Sequence, residues 1–223
     1  NKYMEENLLF IDDSALFTTK KGRFLADGIA ADLFMVNLKY KAAPVFTLGV
    51  GMEYLSGKDM DNASSDTKSF NPFYGTNHKF NGWMDYFYVG NHSGSVGLQD
   101  IYLKLKYKAD KFWVGADVHL FSAANDVWDG FKYGQDLANA ATGEEAQAIQ
   151  DKKYTDYTMS SSFGTELDLT FGFNLAKGVV FKGGYSVMMA TETLAYLKGT
   201  TDYQGQGYTD KLSSWGWAML IIK

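Results

Sequence analysis

The charged residues that could do chemistry in this chain recur at every second position, in stretches where the intervening residues are apolar. Side chains two positions apart in a β-strand lie on the same face, so each stretch groups its charges together. We expect this charged face to line a water-filled passage. The predicted lining residues are Lys39, Lys41, Glu53, Asp100, Lys104, Lys106, Asp117, His119, Glu166, Asp168 and Lys182.

The lysines of this set fall mostly near the short connections between stretches, and the acids mostly toward the opposite ends. Rings of lysine or arginine select anions in pores, so a lysine belt would favour anionic solutes. Two other interpretations stay open. The charges could pair and brace a filled interior, or the lysines could lie solvated at a rim.

Catalytic chemistry has weaker support. The chain has no cysteine, which excludes disulfides, a thiol nucleophile and a cysteine-based zinc site. Ser122, His119 and Asp117 are close in sequence, but side chains two apart on one strand face point in parallel rather than toward a common centre. We therefore expect that the protein is not an enzyme.

The only cofactor that the sequence indicates is a structural Ca²⁺ ion. Its predicted ligands are Asp59, Asp61 and Asp66, in an oxygen-rich loop. The spacing lacks the glycine and the terminal glutamate of an EF-hand, and an ordinary solvated loop is the alternative. No other cofactor is expected.

Three pairs of long alternating stretches predict three β-hairpins. Their arms cover residues 32–41 with 46–54, 100–108 with 112–120, and 163–173 with 179–189, and a closing strand covers 215–223. Connections within hairpins are short, whereas those between them run from about 57 to 96, 122 to 161 and 190 to 211. Alternating short and long connections are typical of outer-membrane barrels, with tight periplasmic turns and long external loops.

We therefore predict an all-β protein: a transmembrane, antiparallel, up-and-down β-barrel in which residues 1–223 form one domain. The segments 57–96 and 122–161 are predicted to be long extracellular loops. A soluble β-sandwich or lipocalin-like barrel is the alternative. Aromatic residues near the strand ends favour the membrane, where they form girdles. The predicted girdle residues are Tyr40, Tyr107, Phe112 and Phe173 near the turns, and Phe34, Tyr54 and Trp215 near the loops.

The composition agrees with this assignment. A net charge of −5 lacks the basic field that nucleic acid requires, so nucleic acid is not an expected partner. No stretch reaches the roughly 18 apolar residues of a membrane-spanning helix, but a β-strand needs only about 10 residues with one apolar face. The expected location is the outer membrane of a Gram-negative bacterium. The expected partners are membrane lipid and a small anionic solute or a polysaccharide, with the oligomeric state left open.

Two loop segments carry further signals. Thr142 followed three residues later by Glu145 is a capping box, which predicts a helix from Gly143 to Asp151. The segment 77–90 is too rich in aromatic residues for an ordinary exposed loop. We expect it to fold into the barrel mouth as a constriction, and a docking patch or plug is the alternative. The predicted constriction residues are His78, Lys79, Phe80, Trp83 and Asp85.

The run from Asn77 to Asp85, NHKFNGWMD, followed by VGLQD at 96–100, resembles the alginate-export family of outer-membrane β-barrels in its Bacteroidetes-type form. The closing residues 214–219, SWGWAM, are similar to the last strand of that family. The resemblance implies a barrel of about 18 strands, roughly twice this length, of which this chain would be the C-terminal portion. Lys223 departs from the terminal aromatic residue of an intact last strand, which also suggests truncation.

The resemblance implies passage of small or polymeric anionic, uronate-like solutes through a charged pore. The alternative function is a plugged structural or surface-binding outer-membrane barrel without transport.

Overall fold

The computed structural model describes residues 9–12, 15–18, 36–60, 69–70, 81–87, 95–199 and 212–222. One sheet contains seven strands in chain order, namely β3 (Val36–Ala43), β4 (Phe46–Leu55), β5 (Leu98–Lys108), β6 (Phe112–Ser122), β7 (Ser162–Ala176), β8 (Val179–Ala190) and β9 (Leu212–Ile222). A separate pair is formed by β1 (Leu9–Asp12) and β2 (Ala15–Thr18). All neighbours in the large sheet are antiparallel, and β3 and β9 are its edges. The predicted antiparallel, up-and-down β-sheet is confirmed.

The short connections of the sheet follow the predicted turns. The chain turns at Pro44 and Val45 between β3 and β4, where proline has no ladder hydrogen bond to lose. Between β7 and β8 it turns at Gly178, whose φ of 79° suits a residue without a Cβ. Long connections follow β4, β6 and β8, so short and long connections alternate along the sheet.

Three helices lie in the described parts of the long connections: α1 (Gly130–Asn139), α2 (Gly143–Asp151) and α3 (Glu192–Leu197). The bounds of α2 are those predicted. The Thr142 hydroxyl accepts from the Glu145 backbone N–H at 3.1 Å, and the Glu145 carboxylate accepts from the Ala141 N–H at 2.8 Å. These bonds satisfy donors that a helix start otherwise leaves unpaired. None of these helices combines the length and the apolar character needed to cross a membrane.

The register places apolar and polar residues on opposite faces of the sheet. One apolar row crosses six neighbouring strands and consists of Leu38, Val50, Leu103, Val118, Leu167 and Val187. Leu38 is 63% exposed and Leu103 39%, whereas Asp100 and Glu166 on the other face are fully buried. The exposed face is thus the apolar one, the reverse of the arrangement in soluble antiparallel sheets.

Two face assignments from the sequence are wrong. Alternation along β7 predicts that Phe163 lies on the apolar face. The register of β6 and β7 shifts beside Phe121, however, and Phe163 points to the other face. There it is buried against Phe87, with the two ring centroids 5.6 Å apart. Trp215, predicted for an outward girdle, pairs with Ser186 on the polar face. A bulge breaks the two-residue period in the first case. In the second, both faces of β9 carry large apolar residues, so alternation alone does not assign them.

A small hydrophobic core closes the end of the sheet from which the long connections leave. Its buried members are Leu55, Phe87, Val96, Leu98, Phe121, Ala123, Val127, Phe163, Met188 and Leu194. These residues come from strand ends, from the connections and from α3, so the core fixes the connections against the polar face.

Candidate functional site

Residues 81–87, which we call the crossing segment, lie across the polar face of the sheet. At one side, the Asn81 amide nitrogen donates to Glu53 Oε2 on β4 at 2.7 Å. At the other, the Trp83 and Trp217 rings stack at 5.3 Å, and the Tyr86 hydroxyl donates to Ser213 Oγ on β9 at 2.7 Å. The crossing segment therefore extends from β4 to β9.

The centre of the crossing segment is attached to Glu166 on β7. The backbone N–H groups of Trp83 and Met84 both donate to Glu166 Oε1, at 2.6 and 2.9 Å. Successive N–H groups beside a left-handed residue form a concave anion site, and Gly82 with a φ of 75° supplies that conformation. A Cβ on Gly82 would lie 2.4 Å from the same Oε1. Glycine is thus required both for its φ and for the close approach of the carboxylate.

Apolar packing holds the last residues of the crossing segment. The Phe87 ring lies 4.6 Å from that of Phe121 on β6 and is buried in the core. The Lys198 ammonium, just after α3, donates to the Tyr86 carbonyl oxygen at 2.5 Å. The segment is therefore fixed to the connection after β8 as well as to the strands.

A chain of charged residues lies beneath the crossing segment. His119 Nδ1 is 2.8 Å from Asp100 Oδ2, and His119 Nε2 is 3.5 Å from Lys104 Nζ. Because an ammonium can only donate, Nε2 accepts from Lys104, and Nδ1–H donates to Asp100. Lys104 also pairs with Asp117 at 3.3 Å. The imidazole therefore links the buried Asp100 to the partly exposed pair of Lys104 and Asp117.

Acidic groups outnumber cations in this buried region. Glu53, Asp100, Glu166 and Asp168 are all at most 7% exposed. The Ser186 hydroxyl donates to Asp168 Oδ1 at 2.5 Å. Buried carboxylates need donors to offset lost hydration, and the crossing segment supplies an amide side chain and two backbone N–H groups. This need explains why the segment docks on these strands.

The structure brings most of the predicted lining residues to one face. Register pairs place Lys39, Glu53, Asp100, Lys104, Lys106, Asp117, His119, Glu166, Asp168 and Lys182 there. Lys41 lies beside a register shift between Tyr40 and Ala43. The acids are mostly buried under the crossing segment, whereas Lys39 and Lys106 are exposed. The face is therefore divided into a covered acidic end and an open lysine end.

Other predicted site residues are only partly described. Trp83 and Asp85 belong to the crossing segment, and Asp85 has a φ of 56°. His78, Lys79 and Phe80 lie outside the described residues, as do Asp61 and Asp66. Asp59 accepts a hydrogen bond from the Asp126 backbone N–H at 3.2 Å. Within the described ranges, no group of three His, Asp or Glu side chains could hold a metal ion. The calcium site stays a prediction.

As predicted from their spacing, the side chains of Ser122, His119 and Asp117 do not point to a common centre. His119 turns to Asp100 on the neighbouring strand, while Asp117 pairs with Lys104. The arrangement stabilises a buried histidine and orients it, but it does not place a hydroxyl nucleophile beside it in the part of the chain that the structure describes.

Sequence reasoning missed several residues that position the crossing segment, namely Asn81, Gly82, Ser186, Ser213 and Trp217. The Asn-Gly pair at 81–82 is a turn signal that could have identified the positive φ. Ser213 and Trp217 contact residues that lie more than a hundred positions away in the sequence. No local sequence pattern indicates such contacts.

No protein-family model matches the chain, and no curated protein matches it.

Proposed function

We propose that the chain forms part of the wall of an outer-membrane β-barrel, together with its constriction. This barrel lets small or polymeric anionic solutes pass. The observation that carries this proposal is the inverted sheet, with its apolar face exposed and the acidic end of its charged face covered. Such a sheet suits lipid on one side and a lined passage on the other.

The exposed apolar face is too extensive for a protein surrounded by water. Its large exposed residues are Val36, Leu38, Tyr40, Phe46, Val50, Met52, Ile101, Leu103, Tyr107, Phe112, Val114, Leu120, Leu169, Phe173, Tyr185, Met189, Leu212, Leu220 and Ile222. Leaving a leucine-sized side chain in water rather than burying it costs about 1.5–3 kcal/mol, so a continuous surface of this kind needs a covering phase. Lipid supplies that phase along the whole length of the strands.

The edges of the sheet support a larger barrel. In the described sheet, β3 and β9 each have a neighbour on one side only. Unpaired edge groups are not tolerated in lipid, so a membrane sheet must close through further strands. A wall of seven strands that continues on both sides agrees with the larger barrel implied by the alginate-export resemblance.

The contacts of the crossing segment give a structural role to the sequence run on which this resemblance rests. Three residues of the run NHKFNGWMD, namely Asn81, Gly82 and Trp83, bind Glu53, Glu166 and Trp217. We propose that the chain belongs to the alginate-export family and that this run fixes a constriction across the passage. Anion preference would come from the open lysine end, because the acids are covered.

Planar-bilayer recording of the closed barrel, in which further strands complete the wall that this chain forms, tests the proposal. We expect a reversal potential that shows anion preference, and Lys106→Gln with Lys108→Gln should reduce that preference. The matched control is Lys177→Gln in the β7–β8 turn, which should leave it unchanged. Cation selectivity, or the absence of channels in protein shown to be folded, would contradict the proposal.

A plugged barrel without transport is the second candidate, favoured by the complete burial of Asp100, His119 and Glu166 beneath the crossing segment. Deleting residues 77–91 separates the two. A constriction predicts channels in the wild type that become larger on deletion. A plug predicts no channels until the segment is removed.

A further inference from the structure

Two buried carboxyl groups lie side by side on β7, beneath the crossing segment. Glu166 and Asp168 are two positions apart on one strand face, 0% and 1% exposed, and within hydrogen-bonding reach of each other. Glu166 Oε1 accepts from the Trp83 and Met84 N–H groups. Asp168 Oδ1 accepts from the Ser186 hydroxyl. One oxygen of each carboxyl group therefore has a donor.

The second oxygen of each group lacks a donor. Within the described residues, neither Glu166 Oε2 nor Asp168 Oδ2 has a hydrogen-bond partner. His119 Nε2 is 4.0 Å from Asp168 Oδ2, which is beyond hydrogen-bond distance, and it already accepts from Lys104. Ionised carboxylates only accept, so the two neighbours bond to each other only if one of them carries a proton. Two ionised groups here would instead place like charges together in a buried site, which is strongly unfavourable.

We propose that Glu166 and Asp168 hold one proton between them while the crossing segment is docked, and that loss of this proton releases the segment. With the proton on Glu166 Oε2, this oxygen donates to Asp168 Oδ2, and Oε1 still accepts from both backbone N–H groups. Every oxygen of the pair then has a partner, and the pair carries one negative charge instead of two. A metal ion would need further ligands, and no third His, Asp or Glu in the described ranges could complete its shell.

Other titratable groups near the pair differ from it in their pH range. On β8, Met188 and Ser186 oppose the pair, so that strand adds no charge. The nearby titratable groups are His119 and Asp117 on β6, Lys104 and Asp100 on β5, Glu53 on β4, and Asp85 and Tyr86 of the crossing segment. The carboxylates on β4, β5 and β6 each have a donor. His119 takes up a proton only below about pH 6.5, and lysine and tyrosine lose theirs near about pH 10. The interval between about pH 7 and 9 therefore isolates the pair.

The direction of the pH effect follows from the number of bound protons. When the crossing segment is released, water solvates both carboxyl groups, which are then ionised at neutral pH. Docking therefore takes up one proton, and the docking equilibrium should weaken about tenfold for each unit of pH increase until the docked pair itself loses its proton. The shared proton rests on contacts within the fold. Its consequence, a constriction that opens as the pH rises, also rests on the proposed channel.

Infrared spectroscopy and hydrogen exchange test the shared proton in the barrel reconstituted into lipid vesicles. At about pH 7, we expect the C=O stretch of a protonated carboxyl group, and Glu166→Gln should remove this band. Protection of the Trp83 and Met84 amides, corrected for the intrinsic exchange rate, should fall about tenfold between about pH 7 and 8. The first measurement detects the proton, and the second detects its effect on docking.

Two variants assign the pH dependence to this pair. Glu166→Gln keeps the bonds of the protonated form, because its amide nitrogen donates to Asp168 and its oxygen accepts from the crossing segment. Its docking should not change with pH. Asp168→Asn, whose amide donates to Glu166, should also dock independently of pH, and it serves if the first variant does not fold. The matched control is Glu144→Gln at an exposed position of α2, which should keep the pH dependence of the wild type.

A carboxyl band that persists in Glu166→Gln would overturn the shared proton, as would wild-type protection that stays constant across this pH interval. Protection that follows the sodium concentration rather than the pH would indicate a metal ion and would also overturn it. The outcome is separable from that of the channel. A barrel that releases the segment at high pH without a larger current has the proton but not the constriction. A barrel that conducts anions with protection independent of pH has the channel without the proton.

Discussion

The contact between Gly82 and Glu166 gives the sharpest prediction for the crossing segment. In Gly82→Ala, the new Cβ would lie 2.4 Å from Glu166 Oε1, so the segment and the carboxylate must separate. The two N–H bonds from Trp83 and Met84 to this oxygen are then lost. Each of these hydrogen bonds contributes about 0.5–1.5 kcal/mol. The left-handed φ of 75° costs an alanine about a further 1–2 kcal/mol.

The lower ends of these ranges sum to about 2 kcal/mol, which corresponds to about a thirtyfold change in the docking equilibrium. Hydrogen exchange of the Trp83 and Met84 amides measures docking directly, because both protons lie in the lost bonds. We expect their protection to fall by about that factor, or to the unprotected rate if docking is weaker.

Two glycines provide matched controls. Gly199 has a φ of 67° but open space around it, so Gly199→Ala tests backbone strain without a clash. Gly134, inside α1, also has open space, and its replacement by alanine should be neutral or slightly stabilising. Neither should change exchange at Trp83 and Met84. Full protection of these amides in Gly82→Ala, or an equal loss of protection in Gly199→Ala, would contradict a direct contact between Gly82 and Glu166 as the cause.

Three further predictions concern separate contacts. His119→Ala should lower the free energy of unfolding by about 1–3 kcal/mol, because the buried Asp100 loses its short bond from the imidazole and keeps only the 3.5 Å bond from the Asn81 amide; a loss below about 0.5 kcal/mol in denaturant titrations would contradict this. Trp217→Ala should weaken docking of the crossing segment through loss of the Trp83 stack, by about 0.5–1.5 kcal/mol beyond the burial term; unchanged exchange at the Trp83 amide would argue against the stack. Thr142→Ala should destabilise α2 by about 1 kcal/mol, seen as reduced protection of its amides, whereas Thr142→Ser should not.

The strands and their pairing were predictable because the pattern is local. Alternation over ten or more residues gives the strands, and turn residues such as Pro44 and Gly178 mark where adjacent arms meet. The capping pair of Thr142 and Glu145 likewise lies within one helical turn, so α2 was predicted to the residue.

The docked position of the crossing segment was not predictable in the same way. Its partners Glu53, Glu166 and Trp217 lie on three strands, and their proximity follows from the sheet register rather than from spacing. Aromatic content indicated that the segment should be covered, but it could not indicate which carboxylate its N–H groups would meet. The burial of the predicted lining acids follows from the same docking.

The inward turn of Phe163 shows a second limit. Its neighbour Gly164 has a φ of 126°, a backbone conformation that residues other than glycine rarely adopt. A glycine within alternating residues is compatible with a regular strand and with a bulge. Packing of Phe163 against Phe87 decides between them, and that packing exists only once the connection after β4 has folded back.

The central claim is that the apolar face of the sheet contacts lipid while the polar face contacts water. Because the chain has no cysteine, spin labels can be attached at single introduced cysteines without removing native ones. Labels at Leu103 and Lys106 on β5, in protein reconstituted into lipid vesicles, measure access to oxygen, which partitions into lipid, and to a water-soluble nickel chelate. We expect high oxygen and low nickel access at position 103, with the reverse at position 106. Equal nickel access at both positions would contradict it.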